Sequence, residues 1–346
     1  MPEPRTIVIT GASSGIGRAT ALAFARRGDR VVLAARRAAM LEDVARECIA
    51  LGGEALAVPT DVTDEAQVEE LGRRALARFG RIDVWFNNAG VAAFGRLESI
   101  PMEAWRRLIE INLFGYVHGA KVAMRQFRAQ GRGMLVQNAS IVGRTAKPDG
   151  TAYAASKFAI RGFSEALRQE VLDQPGIQVC TLLPSVIDTP FFQHAANYSG
   201  RQVQAAPPIY TAEEVAETVL RLVERPEAEA IIGGFGQIAA AQERLAPTLA
   251  TWFTGRSLHR GFLADEPSGD SPGILFAPSE DGRTVDGGWR ERAGAGGAPL
   301  ATLTSLAALP LAWAALPMHM ADLGLATGAR LLEAMVPAAK PGPVSR

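Results

Sequence analysis

The chain has 346 residues, 48% of them hydrophobic, so a sizeable apolar core is within reach. Lys+Arg and Asp+Glu both number 36, and the formal charge is zero. That balance argues against a nucleic acid or an acidic membrane surface recognised through bulk charge.

The first residues, Met-Pro-Glu-Pro-Arg, contain no signal-peptide core, which makes the cytoplasm the expected compartment. Thr6-Ile7-Val8-Ile9 is a short β-branched run, as a buried parallel strand should be. Gly11, Gly15 and Gly17 follow at once, and Arg18 to Arg27 reads as a helix. Strand, glycine turn and helix is the context in which a glycine motif holds a dinucleotide, because the free amides and dipole at the helix start favour a pyrophosphate. Gly11 permits the tight turn, Gly15 lets the ligand approach the backbone, and Gly17 lets helix pack on strand. Ser13, Ser14 and Ile16 complete the expected cofactor-binding loop. The spacing differs from the general G-x-G-x-x-G fingerprint, and a βα turn without a ligand is the plain alternative. The next strand, Arg30 to Ala35, ends in Arg36-Arg37 with no acid to take a ribose 2′-hydroxyl. Arginine suits a 2′-phosphate, so NADP(H) is expected over NAD(H); a solvated pair at a helix start is the alternative.

Further helices are expected at roughly 38–51, 65–79, 101–130, 153–173 and 212–224, with strands at 55–58, 82–86, 133–139, 177–183 and 229–232. This alternation predicts a Rossmann-type α/β fold, a doubly wound parallel sheet of about seven strands with helices on both faces. Cys48 and Cys180 fall in a predicted helix and strand and read as buried apolar residues; no metal-ligand spacing is present, so no metal is expected. Ser140 ends the strand that begins at Gly133. Thirteen residues on, Tyr153 and Lys157 stand at i and i+4 of a helix and so share a face. A free phenol titrates near pH ~10. A neighbouring ammonium should lower that value and leave an acid able to protonate a developing alkoxide.

With these residues in place the chain resembles the short-chain dehydrogenase/reductase family, and at Ala35-Arg36 its NADP-preferring members. Other segments agree in family order: Asp61-Val62, where the family contacts the adenine; Asn87-Asn88-Ala89-Gly90, where Asn87, Ala89 and Gly90 are the expected cofactor contacts; and Asn112, the family's helix asparagine. Pro184 to Thr189 follows, with Ser185 where the family usually has glycine, a departure that touches loop geometry and not chemistry. The resemblance covers roughly the first 235 residues and implies hydride transfer between NADP(H) and a carbonyl or alcohol. By that resemblance Tyr153 protonates the carbonyl oxygen and Ser140 donates a hydrogen bond to it. Lys157 holds the nicotinamide ribose and depresses the Tyr153 pKa, while Asn112 keeps a water beside Lys157. Pro184, Ile187 and Thr189 line the nicotinamide end of the cofactor. The resemblance also implies a homo-oligomer built on the helices at 101–130 and 153–173.

A substrate loop is expected at about 185–210, irregular and carrying Phe191, Phe192, His194 and Tyr198. Phe191, Phe192 and Tyr198, with Phe94, Val142, Ser140 and Tyr153, are the expected substrate contacts, in an apolar pocket suited to a hydrophobic ketone or aldehyde. Alternatively the aromatics only stabilise the loop, and His194 reads as polar surface. The expected domains are 1–255, dinucleotide-binding and catalytic; 265–297, a Gly/Pro-rich linker; and 298–340, an apolar helical tail. The tail is short for a bilayer helix and interrupted by Pro310, so it is expected to pack on protein, with membrane contact as the alternative. The function expected is an NADP-dependent carbonyl reductase. Its rivals are a noncatalytic dinucleotide-binding protein and a membrane-associated reductase of a lipid-like ketone.

Overall fold

Strands and helices alternate in the expected order in a computed structural model, which describes residues 3–245 and 261–295. The strands are β1 (Thr6–Thr10), β2 (Arg30–Ala35), β3 (Glu54–Pro59), β4 (Val84–Asn87), β5 (Gly133–Asn138), β6 (Ile177–Pro184) and β7 (Glu229–Ile232). They form one seven-stranded sheet in the order β7-β6-β5-β4-β1-β2-β3. Every pair is parallel, with Ile7 opposite Val31 on one side and Val84 on the other. Strand order reverses between β1 and β4, and ligands of open α/β sheets bind in the crevice beyond the strand ends at such a point.

Parity along the strands sorts the core. Val8, Val32, Trp85, Leu135 and Val179 bury into one apolar cluster, while Ile7, Ile9, Val31, Leu33, Phe86, Val136 and Cys180 bury into another. Both faces must therefore be covered, and the helices do this: α1 (Gly15–Ala25), α2 (Ala38–Ala50), α3 (Glu65–Phe79), α4 (Met102–Ile109), α5 (Gly115–Gln130), α6 (Thr151–Glu170), α7 (Ala212–Glu224) and α8 (Gly234–Leu245). Cys48 and Cys180 are free and buried.

Three expectations need correction. The single helix read at 101–130 is two helices joined by a π turn at Glu110–Phe114, the turn that carries Asn112. The substrate loop is not irregular: it contains a helical turn at Phe191–His194 and short strands at Val186–Ile187, Ala196–Asn197, Arg201–Val203 and Ile209–Tyr210.

The largest correction concerns the linker. Residues 261–293 belong to the compact unit Met1–Ala293 and form a strap on it. Strand Leu263–Pro267 pairs antiparallel with Arg201–Val203, and Ser271 exchanges two 2.8 Å backbone hydrogen bonds with Asn197. Leu275 is fully buried and Trp289 nearly so. Gly, Pro and Ser composition reads as linker, but here it supplies turns between anchored residues. The boundaries expected at 255 and 265 therefore fall inside this unit. A second unit spans Gly294–Arg346, and the expected tail at 298–340 lies outside the described residues. Among the described residues no helix is long and apolar enough to cross a membrane.

Candidate active site

The glycine loop between β1 and α1 forms one end of a long cleft. Gly11 and Gly15 take φ of 67° and 54°, the left-handed region that a side chain disfavours. A Cβ on Gly17 would stand 2.3 Å from the Gly11 carbonyl oxygen, so this glycine serves the packing of the loop on α1. Gly17 does not line the cleft, whereas Gly11, Ser13, Ser14, Gly15 and Ile16 do. Arg36 and Arg37 lie at the same end, with Asp61 and Val62 beside them. Arg37 Nη2 donates to Ser13 Oγ at 2.9 Å and Ser14 Oγ at 3.1 Å.

Strand parity overturns one expected contact. Asn87 points into the core, where it donates to the Tyr116 carbonyl and Gln137 Oε1, each at 2.9 Å, and accepts from Trp85 Nε1 at 2.8 Å. Its neighbour Asn88 faces the cleft instead, and its Nδ2 donates to the Thr10 carbonyl at 2.9 Å. Ala89 and Gly90 line the cleft as expected. A Cβ on Gly90 would stand 3.4 Å from Asn112 Oδ1 and 3.7 Å from Lys157 Nζ, so a bare backbone keeps the floor open there.

At the other end β5 and α6 bring Ser140, Tyr153 and Lys157 together. Ser140 caps the short 3₁₀ turn Ile141–Gly143, accepting from the Val142 N–H at 3.1 Å. That bond uses an oxygen lone pair and leaves the hydroxyl proton to donate elsewhere. A Cβ on Gly143 would stand 2.5 Å from the Lys157 carbonyl oxygen, so glycine is what lets this turn sit on α6. Lys157 Nζ donates to the Asn138 carbonyl at 2.7 Å, which also accepts from Tyr116 Oη at 2.9 Å. The ammonium lies 5.6 Å from the centroid of the Tyr153 ring. Asn112 Nδ2 donates to the Val91 carbonyl at 2.9 Å and to Ser156 Oγ at 3.1 Å, and its Oδ1 accepts from Val91 N–H at 2.9 Å. It thereby ties the chain after Gly90 to α6.

The expected depression of the Tyr153 pKa is not found. Burial pushes the phenol up to about 12, and a hydrogen bond with the Ser140 side chain offsets only part of that rise. Burial also pulls Lys157 down to about 7. A tyrosine in this state holds its proton and suits donation to an alkoxide better than abstraction from an alcohol.

Pro184, Ile187, Thr189, Val142, Phe94, Phe191 and Phe192 all line the cleft. Tyr198 does not: it packs half-buried against the core cluster that contains Val8 and Trp85, with its N–H on the Phe94 carbonyl at 2.7 Å. His194 is not simple surface, since it lines the cleft and its Nε2 lies 3.2 Å from the Asp281 carbonyl of the strap. Burial lowers its pKa.

Sequence reasoning missed the strap's part in the site. Phe262, Ile274, Pro278 and Ser279 line the cleft. Strap carbonyls accept from the two arginines: Ile274 from Arg36 Nη2 at 2.6 Å, and Ser279 and Asp281 from Arg37 Nη1 at 3.0 and 2.8 Å. Gly15 N–H, in the glycine loop, donates to the Thr284 carbonyl at 3.1 Å. No local signal marks these residues, because their partners lie more than two hundred positions away.

The model of the short chain dehydrogenase family matches residues 5–198. A Bacillus subtilis (strain 168) protein named uncharacterized oxidoreductase YxnA is 34% identical over 269 residues, 77% of this chain and 76% of its own. An alcohol dehydrogenase from the archaeon Thermococcus sibiricus, solved with 5-hydroxy-NADP, superposes with a TM-score of 0.59 at 32% identity, over 66% of this chain and 96% of its own. A xylitol dehydrogenase bound to NAD+ superposes with a TM-score of 0.61 at 27% identity, over 66% of this chain and 98% of its own. The chain belongs to the short-chain dehydrogenase family and is an oxidoreductase of that family.

Proposed function

We propose that this protein is an NADP(H)-dependent reductase of hydrophobic ketones or aldehydes. The observation that carries this reading is the convergence of Ser140, Tyr153 and Lys157 at one end of a cleft whose other end holds Arg36 and Arg37. The residues fit a nicotinamide dinucleotide: a glycine cradle in left-handed backbone, two guanidinium groups, and a floor without side chains at Gly90. Such a cofactor, when bound, supplies the hydride. Tyr153 protonates the carbonyl oxygen, and Ser140 donates its hydroxyl proton to the same oxygen as charge develops there. Lys157 holds the ribose and draws its orientation from the Asn138 carbonyl. Asn112 fixes Val91 and α6 so that Gly90 and Lys157 keep their separation. Apolar walls at Phe94, Val142, Phe191 and Phe192 favour a bulky hydrophobic carbonyl compound.

NADPH oxidation followed against ketones and aldehydes graded by size and polarity tests the reading. The expected result is a higher kcat/KM for compounds with a large apolar body than for small polar ones. NADPH binding with no turnover on any of them would favour a noncatalytic dinucleotide-binding protein.

The cofactor preference has its own test. Arg36→Ala should weaken NADPH by roughly 1.5–3 kcal/mol and NADH little, since one charged hydrogen bond is lost. Arg37, already beside Ser13 and Ser14, shares the phosphate, so the double variant loses the preference altogether. Equal affinities of the unmodified protein for NADH and NADPH would overturn this.

A homo-oligomer is part of the proposal. Met102, Phe114 and Phe158 are 59%, 51% and 42% exposed on α4, the π turn and α6, the helices expected to associate.

A further inference from the structure

Among the described residues, Lys147 is a charged side chain at the cleft's substrate end that the proposed chemistry leaves unused. It lines the cleft and is 8% exposed. Its position is built: the Gly95 N–H donates to the Asp149 carbonyl at 3.2 Å, which clips the 147–150 turn beside Phe94. The Lys147 ammonium sits 4.3 Å from the Phe94 ring centroid and 4.6 Å from that of Phe262, a strap residue. Among the described residues its Nζ has no hydrogen bond and no ion pair, although an ammonium carries three donors. Burial pulls its pKa down to about 8, and the charge of Asp149 opposes that shift. Two aromatic faces are a partial substitute for water around a cation, and a buried cation is otherwise paired.

The path to this ammonium starts at Tyr153. The Tyr153 ring stands 5.6 Å from Phe191, Phe191 stands 5.5 Å from Phe192, and Phe192 stands 6.4 Å from Phe94. An apolar wall thus runs from the phenol to the ammonium. We propose that Lys147 is an anion subsite of the substrate cleft. The natural substrate is then an amphipathic carbonyl or alcohol compound with a carboxylate at the end remote from the reacting carbon. This rests on the hydride-transfer reading for its reacting carbon but not for the anion site itself.

The test uses binding, so that it does not depend on turnover. Phenylbutanoate and phenylbutanamide match in size and shape and differ in charge. They are titrated by calorimetry into the full chain saturated with NADP+, which keeps Arg36 and Arg37 engaged. The carboxylate is expected to bind at least about tenfold more tightly, as a charge-assisted hydrogen bond requires. Lys147→Met should erase the difference by weakening the carboxylate and leaving the amide unchanged. Tyr153→Phe should keep the difference while losing turnover, which separates failure of the anion site from failure of the catalytic reading. The proposal is overturned if the unmodified chain binds the amide as tightly as the carboxylate, if it fails to bind the carboxylate, or if Lys147→Met retains the preference. If Lys147→Met melts early, the comparison of the two ligands on the unmodified chain decides alone.

Discussion

Tyr153→Phe is expected to lower turnover by at least about a hundredfold, the low end for loss of a general acid. The substitution removes one oxygen and keeps the ring, so the contact with Phe191 and the seat of α6 beside the cleft survive. Lys157 keeps its bond to the Asn138 carbonyl, which does not involve the phenol. Cofactor affinity should therefore stay within a few-fold of the unmodified protein, as a fluorescence titration with NADPH would show. The direction of the Tyr153 pKa sharpens the expectation. A phenol held at about 12 is protonated throughout the working pH range, so the proton is available in reduction at every such pH. The loss should consequently be as large at pH 6 as at pH 8. Steady-state kcat close to that of the unmodified protein would remove Tyr153 from its role.

What the sequence made legible was local. The glycine loop, the Arg36-Arg37 pair and the i, i+4 spacing of Tyr153 and Lys157 are short-range patterns whose geometry follows from one strand, one turn or one helix. The sheet was legible because β-branched runs buried on both faces have few other folds to adopt. The direction of the side chains at the end of β4 was not legible, because Asn87 and Asn88 are chemically identical and the partners Trp85, Tyr116 and Gln137 hold the first of them inward. The pKa directions were not legible because both Tyr153 and Lys157 are governed by burial, a product of the whole packing. The π turn at Asn112 was hidden inside a continuous helical pattern. The strap was misread for a different reason: its attachment is made largely through backbone carbonyls and amides, and almost any residue type supplies those. Composition between 265 and 297 reported flexibility, while Arg36, Arg37, Arg107 and Asp188 supplied the fixed points.

Those fixed points make Asp188 the strap contact whose loss should cost most. Its carboxylate is 6% exposed and accepts three backbone amides of the strap: Gly287 at 3.0 Å, Trp289 at 2.8 Å and Arg290 at 3.1 Å. The acceptor thus stands at the start of the helix Trp289–Ala295, where a negative charge also meets the favourable end of the helix dipole. Asp188→Ala leaves all three donors without it, and the cost should be about 2–4 kcal/mol, above that of an ordinary cap because the Trp289 amide is buried. A fall in melting temperature of roughly 5–10 °C is expected by calorimetry. Asp188→Asn keeps one acceptor oxygen and should lose about half as much. The effect should reach the cleft, because Trp289 Nε1 donates to the Thr189 carbonyl at 3.2 Å and its ring lies 5.8 Å from Phe192, two residues that line it. Truncation before Asp265 takes the argument to its limit. It removes every donor to Asp188, uncovers the residues packed around Leu275 and leaves Arg36 and Arg37 without their strap carbonyls. The truncated chain is expected to be unstable and to bind NADPH poorly, and a truncated chain that melts with the full chain would make the strap an appendage and not a wall of the site.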